Sequence, residues 1–479
     1  MVLAFFIWIA GFHILILKFT SLIFFLGSIV SFYFIFKPKL EPIILFTSLS
    51  LFAVNLAVLE YSHHVYSEVL FLFIQLWALY FLWKSEESNG SLLSIFLVAL
   101  FAMAGFYIRA LGGTLPLAIA LWFLTQKQWK KIAFFIMFCI LLYAPLKLAE
   151  YAHGTVVVGQ ASGIFMVNPY QPALGSETIL GFATRISSNL FLHFNYLIPN
   201  ALSLPHWEQL SAADGKLFPN SEAFISVLLS CILVAGCIFT WRHGSKVLAF
   251  LVLYSTLYIL FLCFALQTIY PTVRYLVPII PLMIILFLSG LQWIWHKILR
   301  TKYIQTPGFK RGFVFSIVLV GFSNLIYIES GVEENYPVLK ANLQGNEFYG
   351  YSQDWINYLN ASRWIAQQYS KESTAVICRK PEFFQIYTGG YKAYGVYSIE
   401  ATDPDTIIAH WQQWKMTHLL YDNFQWSSTL RRYVQPVADK YPQMFELVHQ
   451  EGSQFPSYIL RLNYLAAIDS AVLQKGRMR

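Results

Sequence analysis

Residues 246–266 read KVLAFLVLYSTLYILFLCFAL, a run in which Lys246 is the only charged residue. A helix of about 20 predominantly apolar residues is long enough to cross the hydrocarbon core of a bilayer. Runs of the same kind recur before and after it, and we predict spans at 1–16, 19–36, 42–59, 66–83, 91–107, 110–125, 131–148, 223–241, 246–266, 274–296 and 312–328. The sequence therefore predicts a polytopic α-helical membrane protein of about 11 spans.

The composition excludes a water-soluble globular enzyme. The 479 residues are 57% hydrophobic and 12% charged, with a mean hydropathy of +0.54. Soluble domains carry about 25% charged residues, so half of the usual solvating charge is missing. A disordered or a collagen-like chain is excluded as well.

The positive charge sets the topology and does not indicate nucleic-acid binding. Residues 1–328 hold 19 Lys and Arg against 10 Asp and Glu, whereas the remainder holds 14 against 15. Most of the excess lies in five short alternate loops, at Lys37, Lys39, Lys84, Lys127, Lys130, Lys131, Arg242, Lys246, Lys297, Arg300, Lys302, Lys310 and Arg311. Cytoplasmic loops carry such an excess, whereas a nucleic-acid-binding protein clusters its charge on one soluble face.

Two soluble regions then fall on the extracytoplasmic side of a cell inner (plasma) membrane. We predict a membrane core at 1–328, which includes a large outer loop at 149–222, and an extracytoplasmic domain at 329–479. Helical and strand-like segments alternate in the tail, at 354–368, 373–378, 403–414, 417–421, 444–449 and 457–462. This alternation predicts a small α/β domain.

The sequence has no signature of a metal or cofactor site. Its five cysteines form no CxxC pair, and Cys378 is the only cysteine of the tail, so neither a zinc site nor a disulfide scaffold is indicated. A Walker loop, a GxGxxG after a strand, HExxH and GxSxG are all absent from the sequence.

Ionisable residues gather at the predicted outer edge of the membrane. Residues 60–68 read EYSHHVYSE and run from an outer loop into a span, with Glu68 about one turn inside the apolar helix. Arg109 follows an apolar run at the next outer turn, and Arg274 opens another span from the same side. Arginine pairs with phosphate oxygens through its planar fork, and a carboxylate or an imidazole can move a proton. These residues therefore indicate a site for an anionic lipid headgroup.

Purely structural roles also account for these residues. Arg109 and Arg274 could extend to the membrane interface along their own stems, and Glu68 could be a structural partner of Arg109. His63 and His64 fit interfacial polar residues better than metal ligands, because adjacent histidines need not point the same way.

Several motifs occur in a fixed order along the chain, namely Ser67-Glu68, Tyr107-Ile108-Arg109 with Gly112-Gly113, Tyr143-Ala144-Pro145, Asn168-Pro169-Tyr170, Arg274-Tyr275 with Pro278 and Pro281, and Arg379-Lys380-Pro381. In these motifs the sequence resembles the integral-membrane glycosyltransferases of the C-type superfamily. The nearest branch is that of the bacterial protein O-mannosyltransferase-like and aminoarabinose-transferase-like enzymes. The motifs together cover most of the chain.

The resemblance implies a transferase that takes a sugar from a polyprenyl-phosphate carrier and passes it to a glycan, lipid or protein acceptor on the extracytoplasmic side. It implies no certain cofactor and leaves a divalent metal open. Glu68 matches an acidic residue of the outer cavity, and Arg274 matches an Arg-Tyr that we expect to contact the carrier phosphate. We assign Arg109 the same phosphate-binding role, and we expect Tyr61, His63, His64 and Tyr275 to line the cavity.

Two other functions fit a membrane protein of this kind. A flippase or transporter of lipid-linked sugars should show inverted repeats and charges near the bilayer midplane. Here the ionisable residues gather at the outer edge, which favours an enzyme. A non-catalytic truncated homologue is the remaining alternative.

The N-terminus departs from the family pattern, in which a first span precedes a long outer loop with a catalytic Asp. No Asp occurs here before Asp214, and the region around Gly11 resembles the end of the family's second span. We therefore expect a truncated N-terminus or a misassigned start codon. The alternative is a chain that is complete as written, with Glu60 or Glu68 as the base.

The truncation hypothesis is tested by sequencing upstream of the coding region. We expect the in-frame DNA to encode one more span and a loop that contains an Asp. An upstream region with a stop codon and no such loop would contradict the hypothesis.

Overall fold

The computed structural model describes residues 14–87, 91–153, 163–169, 174–203, 221–267, 272–298, 307–398 and 403–465, with a few positions before residue 14. The chain divides into two compact units. The membrane unit comprises Met1–Phe165 and Glu177–Asn335, and the C-terminal domain comprises Met166–Ser176 and Tyr336–Arg479.

The membrane unit is helical wherever the structure describes a predicted span. Its helices are α1 Ile14–Phe36, α2 Pro42–Ala53, α3 Leu56–Ser62, α4 Glu68–Glu87, α5 Leu92–Ile108, α6 Thr114–Thr125, α7 Trp129–His153, α8 Ile179–Leu192, α9 Ile198–Leu202, α10 Ser221–His243, α11 Lys246–Ala265, α12 Ile280–Ile298 and the part of α13 Pro307–Leu343 that precedes Tyr336. Short 3₁₀ turns at Ala110–Gly113 and Val273–Ile279 lead into α6 and α12. Most of the predicted first span, 1–16, lies outside the described residues.

Fewer helices than predicted qualify as spans by length and composition. Among the described residues six do so, or seven if α2 and α3 form one bent span. The helices Leu92–Ile108 and Ala110–Thr125 are apolar but shorter. The multi-pass membrane architecture is confirmed, and the predicted number of about 11 is supported only in part.

The span predicted at 42–59 is broken by a buried asparagine. Asn55 separates α2 from α3, which are bent by 52° relative to each other. Its side-chain oxygen accepts a hydrogen bond from the backbone of Val58, and its amide donates to the carbonyl of Ala201. Asparagine favours this N-cap position, so the local sequence starts a second helix where the apolar pattern alone predicted continuity.

The outer loop predicted at 149–222 contains an ordered helix, α8. Arg185 of α8 is buried, 2.8 Å from a carboxylate oxygen of Glu177, and it donates to the carbonyl of Ile164. Asn189, one turn further along, donates to the carbonyls of Cys263 and Leu266 at the end of α11. These buried polar contacts hold α8 in the membrane unit, while residues 154–162, 170–173 and 204–220 of the loop lie outside the described part.

Two glycines let α10 and α12 approach backbone to backbone. A Cβ atom on Gly236 would lie 2.0 Å from the carbonyl oxygen of Leu286, and one on Gly290 would lie 2.2 Å from that of Ile232. Membrane helices that pack closely use small residues at the contact, because lipid gives helix association no hydrophobic driving force.

The C-terminal domain contains a five-stranded sheet with helices on both faces. Its elements are α14 Gln353–Gln368, β1 Ala375–Cys378, α15 Pro381–Tyr387, β2 Lys392–Gly395, α16 Pro404–Gln413, β3 His418–Tyr421, α17 Thr429–Tyr433, α18 Gln435–Lys440, β4 Phe445–Glu451 and β5 Ser457–Leu462. The strand order is β2-β1-β3-β5-β4. Strand β1 pairs in parallel with β2 and β3, and β5 pairs antiparallel with β3 and β4.

The interior strand β1 is buried along its whole length because both faces of the sheet are covered. Ala375 and Ile377 pack in an apolar cluster with Trp411 of α16, and Val376 packs in another with Tyr358 of α14. A strand covered on both faces reads as a continuous apolar run. The segments predicted from the sequence match the structure, while the half-exposed strand β2 and the short helices α15, α17 and α18 were not predicted.

The glycine contact between α10 and α12 yields a test of the fold. Gly236→Ala or Gly290→Ala should each lower the free energy of unfolding by about 1–3 kcal/mol, because the new methyl group would overlap a carbonyl of the facing helix. Equilibrium unfolding in mixed detergent micelles measures this change.

Gly331→Ala is the matched control, since among the described residues no atom outside the helix's own backbone lies within 4 Å of a Cβ at Gly331 in α13. Alanine favours helix there, so this variant should be neutral or slightly more stable. Equal stability of all three variants would contradict the close contact.

Candidate functional site

One buried carboxylate joins two arginines from distant parts of the chain. Glu68 is the first residue of α4 and is fully buried. Arg109 Nη1 lies 2.6 Å from its Oε1 atom, and Arg274 Nε donates to the same oxygen. The three residues that the sequence placed at one level of the bilayer thus form a cluster, which we call the arginine–carboxylate cluster.

Arg109 reaches the cluster because α5 ends directly before it. Its backbone is extended, with φ −148° and ψ 140°, and its amide donates to the carbonyl of Gly105. The following 3₁₀ turn folds back onto the end of α5, where a Cβ on Gly112 would lie 2.2 Å from the Gly105 oxygen. Gly112 therefore allows the close turn that directs the Arg109 side chain inward.

The 3₁₀ turn Val273–Ile279 positions Arg274. Buried side chains hold this turn in place through hydrogen bonds. Tyr258 donates to the carbonyl of Tyr275 at 2.8 Å. Gln75 donates to the carbonyl of Pro278 and accepts from the Tyr254 hydroxyl at 2.8 Å. Gln75 lies seven residues after Glu68, on the same face of α4, so one helix face binds both ends of the turn.

The predicted cavity-lining residues gather around Tyr66, which the sequence analysis did not single out. The Arg274 guanidinium lies 4.0 Å from the centre of the Tyr66 ring, on which His64 stacks at 5.5 Å. The ring centres of Tyr61 and Tyr66 lie 5.8 Å apart, and those of His63 and His64 lie 4.5 Å apart. The position of Tyr66 in the sequence, between His64 and Glu68, could have indicated that it belongs to the site.

Tyr275 contacts the other arginine of the cluster, because the Arg109 guanidinium lies 5.4 Å from its ring. The Tyr61 side chain interacts with Thr272 and lies within electrostatic range of Glu60, Glu68 and Arg274. The residues singled out from the sequence thus share one neighbourhood in the membrane unit.

The three side chains of the cluster differ in how much of their surface is exposed. The side chain of Glu68 is 0% exposed, that of Arg109 9% and that of Arg274 34%. Arg109 points inward to a carboxylate instead of extending to water. The second carboxylate oxygen of Glu68 is buried and has no hydrogen-bond partner in the described part of the chain, so the partly accessible guanidinium of Arg274 is the group of the cluster that a ligand could reach.

Glu60 and the two histidines lie at the rim. Glu60 is exposed, and its backbone carbonyl is 2.6 Å from His64 Nδ1. Partial desolvation and the neighbouring His64 lower the pKa of His63. No group of three or more His, Cys, Asp and Glu is arranged to hold a metal ion among the residues that the structure describes.

The arrangement can bind an anion at the membrane edge. Two guanidiniums facing one carboxylate leave a net charge of +1, and the more exposed Arg274 lies against the ring of Tyr66, a residue that is itself exposed. Guanidinium groups bind phosphate through paired hydrogen bonds. An aromatic face beside such a site suits the apolar side of a sugar ring, because the face of the ring carries negative charge density.

Comparisons with known proteins show the fold. No family model and no curated protein sequence matches the chain. Among solved structures, the chain is similar to the crystal structure of ArnT from Cupriavidus metallidurans bound to undecaprenyl phosphate, with a TM-score of 0.50 and 12% sequence identity over 96% of this chain and 86% of that chain. The match shows that the chain shares the fold of this structure.

A double-mutant cycle measures the coupling of Glu68 to Arg109. Glu68→Gln should lower the free energy of unfolding by about 3–5 kcal/mol, because it leaves a buried guanidinium without its carboxylate. Arg109→Gln should have a similar effect, and the double variant should lose less than both together.

The control is Glu87→Gln at the other end of α4, where the ion pair with Lys39 is more exposed. That change should cost less than about 1 kcal/mol. Additive effects of Glu68→Gln and Arg109→Gln would show that the two side chains do not interact.

Proposed function

We propose that the protein is a membrane glycosyltransferase that takes a sugar from a polyprenyl-phosphate carrier and transfers it to an acceptor hydroxyl on the extracytoplasmic face. The observation that carries this proposal is the arginine–carboxylate cluster at the edge of the membrane unit. The ArnT structure, whose fold the chain shares, was determined with undecaprenyl phosphate bound. A lipid-linked phosphate is therefore the natural ligand for the two arginines.

The reaction we propose is a direct displacement at the anomeric carbon. The acceptor oxygen forms a bond to that carbon, and the bond between the carbon and the carrier phosphate oxygen breaks. The leaving polyprenyl phosphate takes the electron pair, and the acceptor proton passes to a base. The negative charge that develops on the leaving phosphate is stabilised by preorganised donors in a site shielded from water.

The residues divide between positioning and chemistry. Arg274 is partly exposed and would contact the phosphate directly, and Arg109 would add its charge from a deeper level. Glu68 is enclosed between the two arginines and would orient them. Glu60 is the exposed carboxylate of this neighbourhood, so we assign it the role of base, while the exposed ring of Tyr66 would carry the sugar.

The side of the membrane follows from the loop charges. The basic loops indicate that the cluster opens on the extracytoplasmic side of the plasma membrane. We place the protein in the protein O-mannosyltransferase-like and aminoarabinose-transferase-like branch because its motifs resemble that branch. The sugar and the acceptor are left open between lipid, protein and glycan.

Activity is tested with radiolabelled polyprenyl-phosphate sugars and the full chain reconstituted in vesicles. We expect release or transfer of sugar by the wild-type protein. Arg274→Ala and Glu68→Gln should lower the rate by at least about 100-fold and weaken carrier binding. Both variants should still insert into the membrane. Wild-type turnover in both would contradict the assignment.

Substitution of the proposed base, Glu60, should change the kinetic constants in a different way. Glu60→Gln should lower kcat by about 100-fold or more and leave KM for the donor unchanged, because Glu60 does not touch the phosphate in this scheme. Glu87→Gln, in the exposed ion pair of α4, should retain full activity. Movement of intact carrier between leaflets without sugar release would instead identify a flippase.

A further inference from the structure

Two charged residues of the C-terminal domain meet at one edge of its sheet. Arg379 directly follows β1, and Asp422 directly follows β3. Because β1 and β3 are parallel neighbours, their carboxyl ends lie side by side. Arg379 Nη2 is 2.9 Å from Asp422 Oδ1, and both side chains are buried.

The topology makes this edge a favourable place for a ligand. After β1 the chain continues to β2 on one side, and after β3 it continues to β4 and β5 on the other. The carboxyl ends of β1 and β3 thus form a topological switch point. Open α/β sheets bind their ligands in the crevice that forms at such a point.

The buried ion pair has unused hydrogen-bonding capacity. Arg379 Nε and Asp422 Oδ2 have no hydrogen-bond partner among the residues that the structure describes. Burial raises the pKa of Asp422 to about 6 even though Arg379 opposes the shift. A buried pair with unsatisfied atoms contributes little to stability, which argues for a role in binding.

Aromatic rings flank the pair and reach the surface. Trp426 is 58% exposed and Phe383 is 41% exposed. The Arg379 guanidinium lies 5.7 Å from the centre of the Trp426 ring, and Lys380 Nζ lies 5.2 Å from it. Trp355 connects the two sides of this aromatic platform, at 5.0 Å from Phe383 and 4.6 Å from Phe424.

We propose that the carboxyl ends of β1 and β3 in the C-terminal domain bind a saccharide. The C–H groups of a sugar ring stack on aromatic faces, which carry negative charge density, and Trp426 offers such a face to solvent. Lys380, which lies over the same ring, supplies a donor for the sugar hydroxyls, and the buried Arg379–Asp422 pair holds the two strand ends beneath them. A discrete polar ligand fits better than a lipid surface, because the exposed rings alternate with charges at a switch point.

This site is built from other residues than the arginine–carboxylate cluster and goes beyond the proposed transfer reaction. It requires no turnover, so binding can be measured in a Glu60→Gln background, which changes an exposed side chain. The protein should be held in lipid nanodiscs, because glycosidic detergents would compete for the site. Maltohexaose, chitohexaose and tetragalacturonate serve as probes in saturation-transfer difference NMR.

We expect saturable binding of at least one of the three probes. Trp426→Ala should weaken it by about tenfold or more, as loss of one stacking ring does, and Lys380→Ala should weaken it as well. Trp364→Ala is the matched control, since Trp364 stacks on His449 of β4 at 4.3 Å. This control should change the affinity less than twofold.

Three results would overturn the proposal. The first is no saturable binding of any probe, and the second is equal affinities of the Trp426→Ala and Trp364→Ala variants. The third is loss of binding in Glu60→Gln. Quenching of Trp426 by brominated lipid chains, without protection by any saccharide, would identify a membrane contact instead and would also overturn it.

Discussion

The membrane unit depends on a single carboxylate that faces two guanidinium groups. An uncompensated charge at membrane depth is expensive, so Glu68 can be buried at the start of α4 only if Arg109 and Arg274 meet it there. This requirement fixes the end of α5 and the turn before α12 against one helix. The hydrogen bonds of Gln75 to Pro278 and Tyr254 continue the same constraint along α4, so the geometry of the cluster and the packing of the helices have one origin.

Much of the membrane fold was predictable from apolar run length, because the bilayer restricts spanning chains to helices. The bend at Asn55 was not predictable from hydropathy, since it depends on a hydrogen bond to Ala201, far away in the sequence. The close approach of the two helix backbones at Gly236 and Gly290 was not predictable for the same reason. A glycine in an apolar run shows its role only when the facing backbone is known.

The members of the candidate site were predictable, and their pairing was not. Glu68, Arg109 and Arg274 stand out because charges are rare in apolar runs. The sequence could not show that both arginines bind one oxygen, or that Tyr66 lies under Arg274. In the C-terminal domain, Arg379 was noted as part of a motif. Its ion pair with Asp422 could not be predicted, because it depends on the pairing of β1 with β3. The order of strands in a sheet depends on residues that are far apart in the sequence.

The two arginines of the cluster also differ in the time at which they are synthesised. Arg109 follows Glu68 within the next helical hairpin, whereas Arg274 is separated from Glu68 by 206 residues. During insertion the carboxylate can therefore be neutralised early by Arg109, which lets α4 and α5 enter the membrane as a pair. The contact of Arg274 with Glu68 forms only when the chain has emerged as far as the turn before α12. The candidate site is therefore complete only after the helices from α4 to α11 have been synthesised.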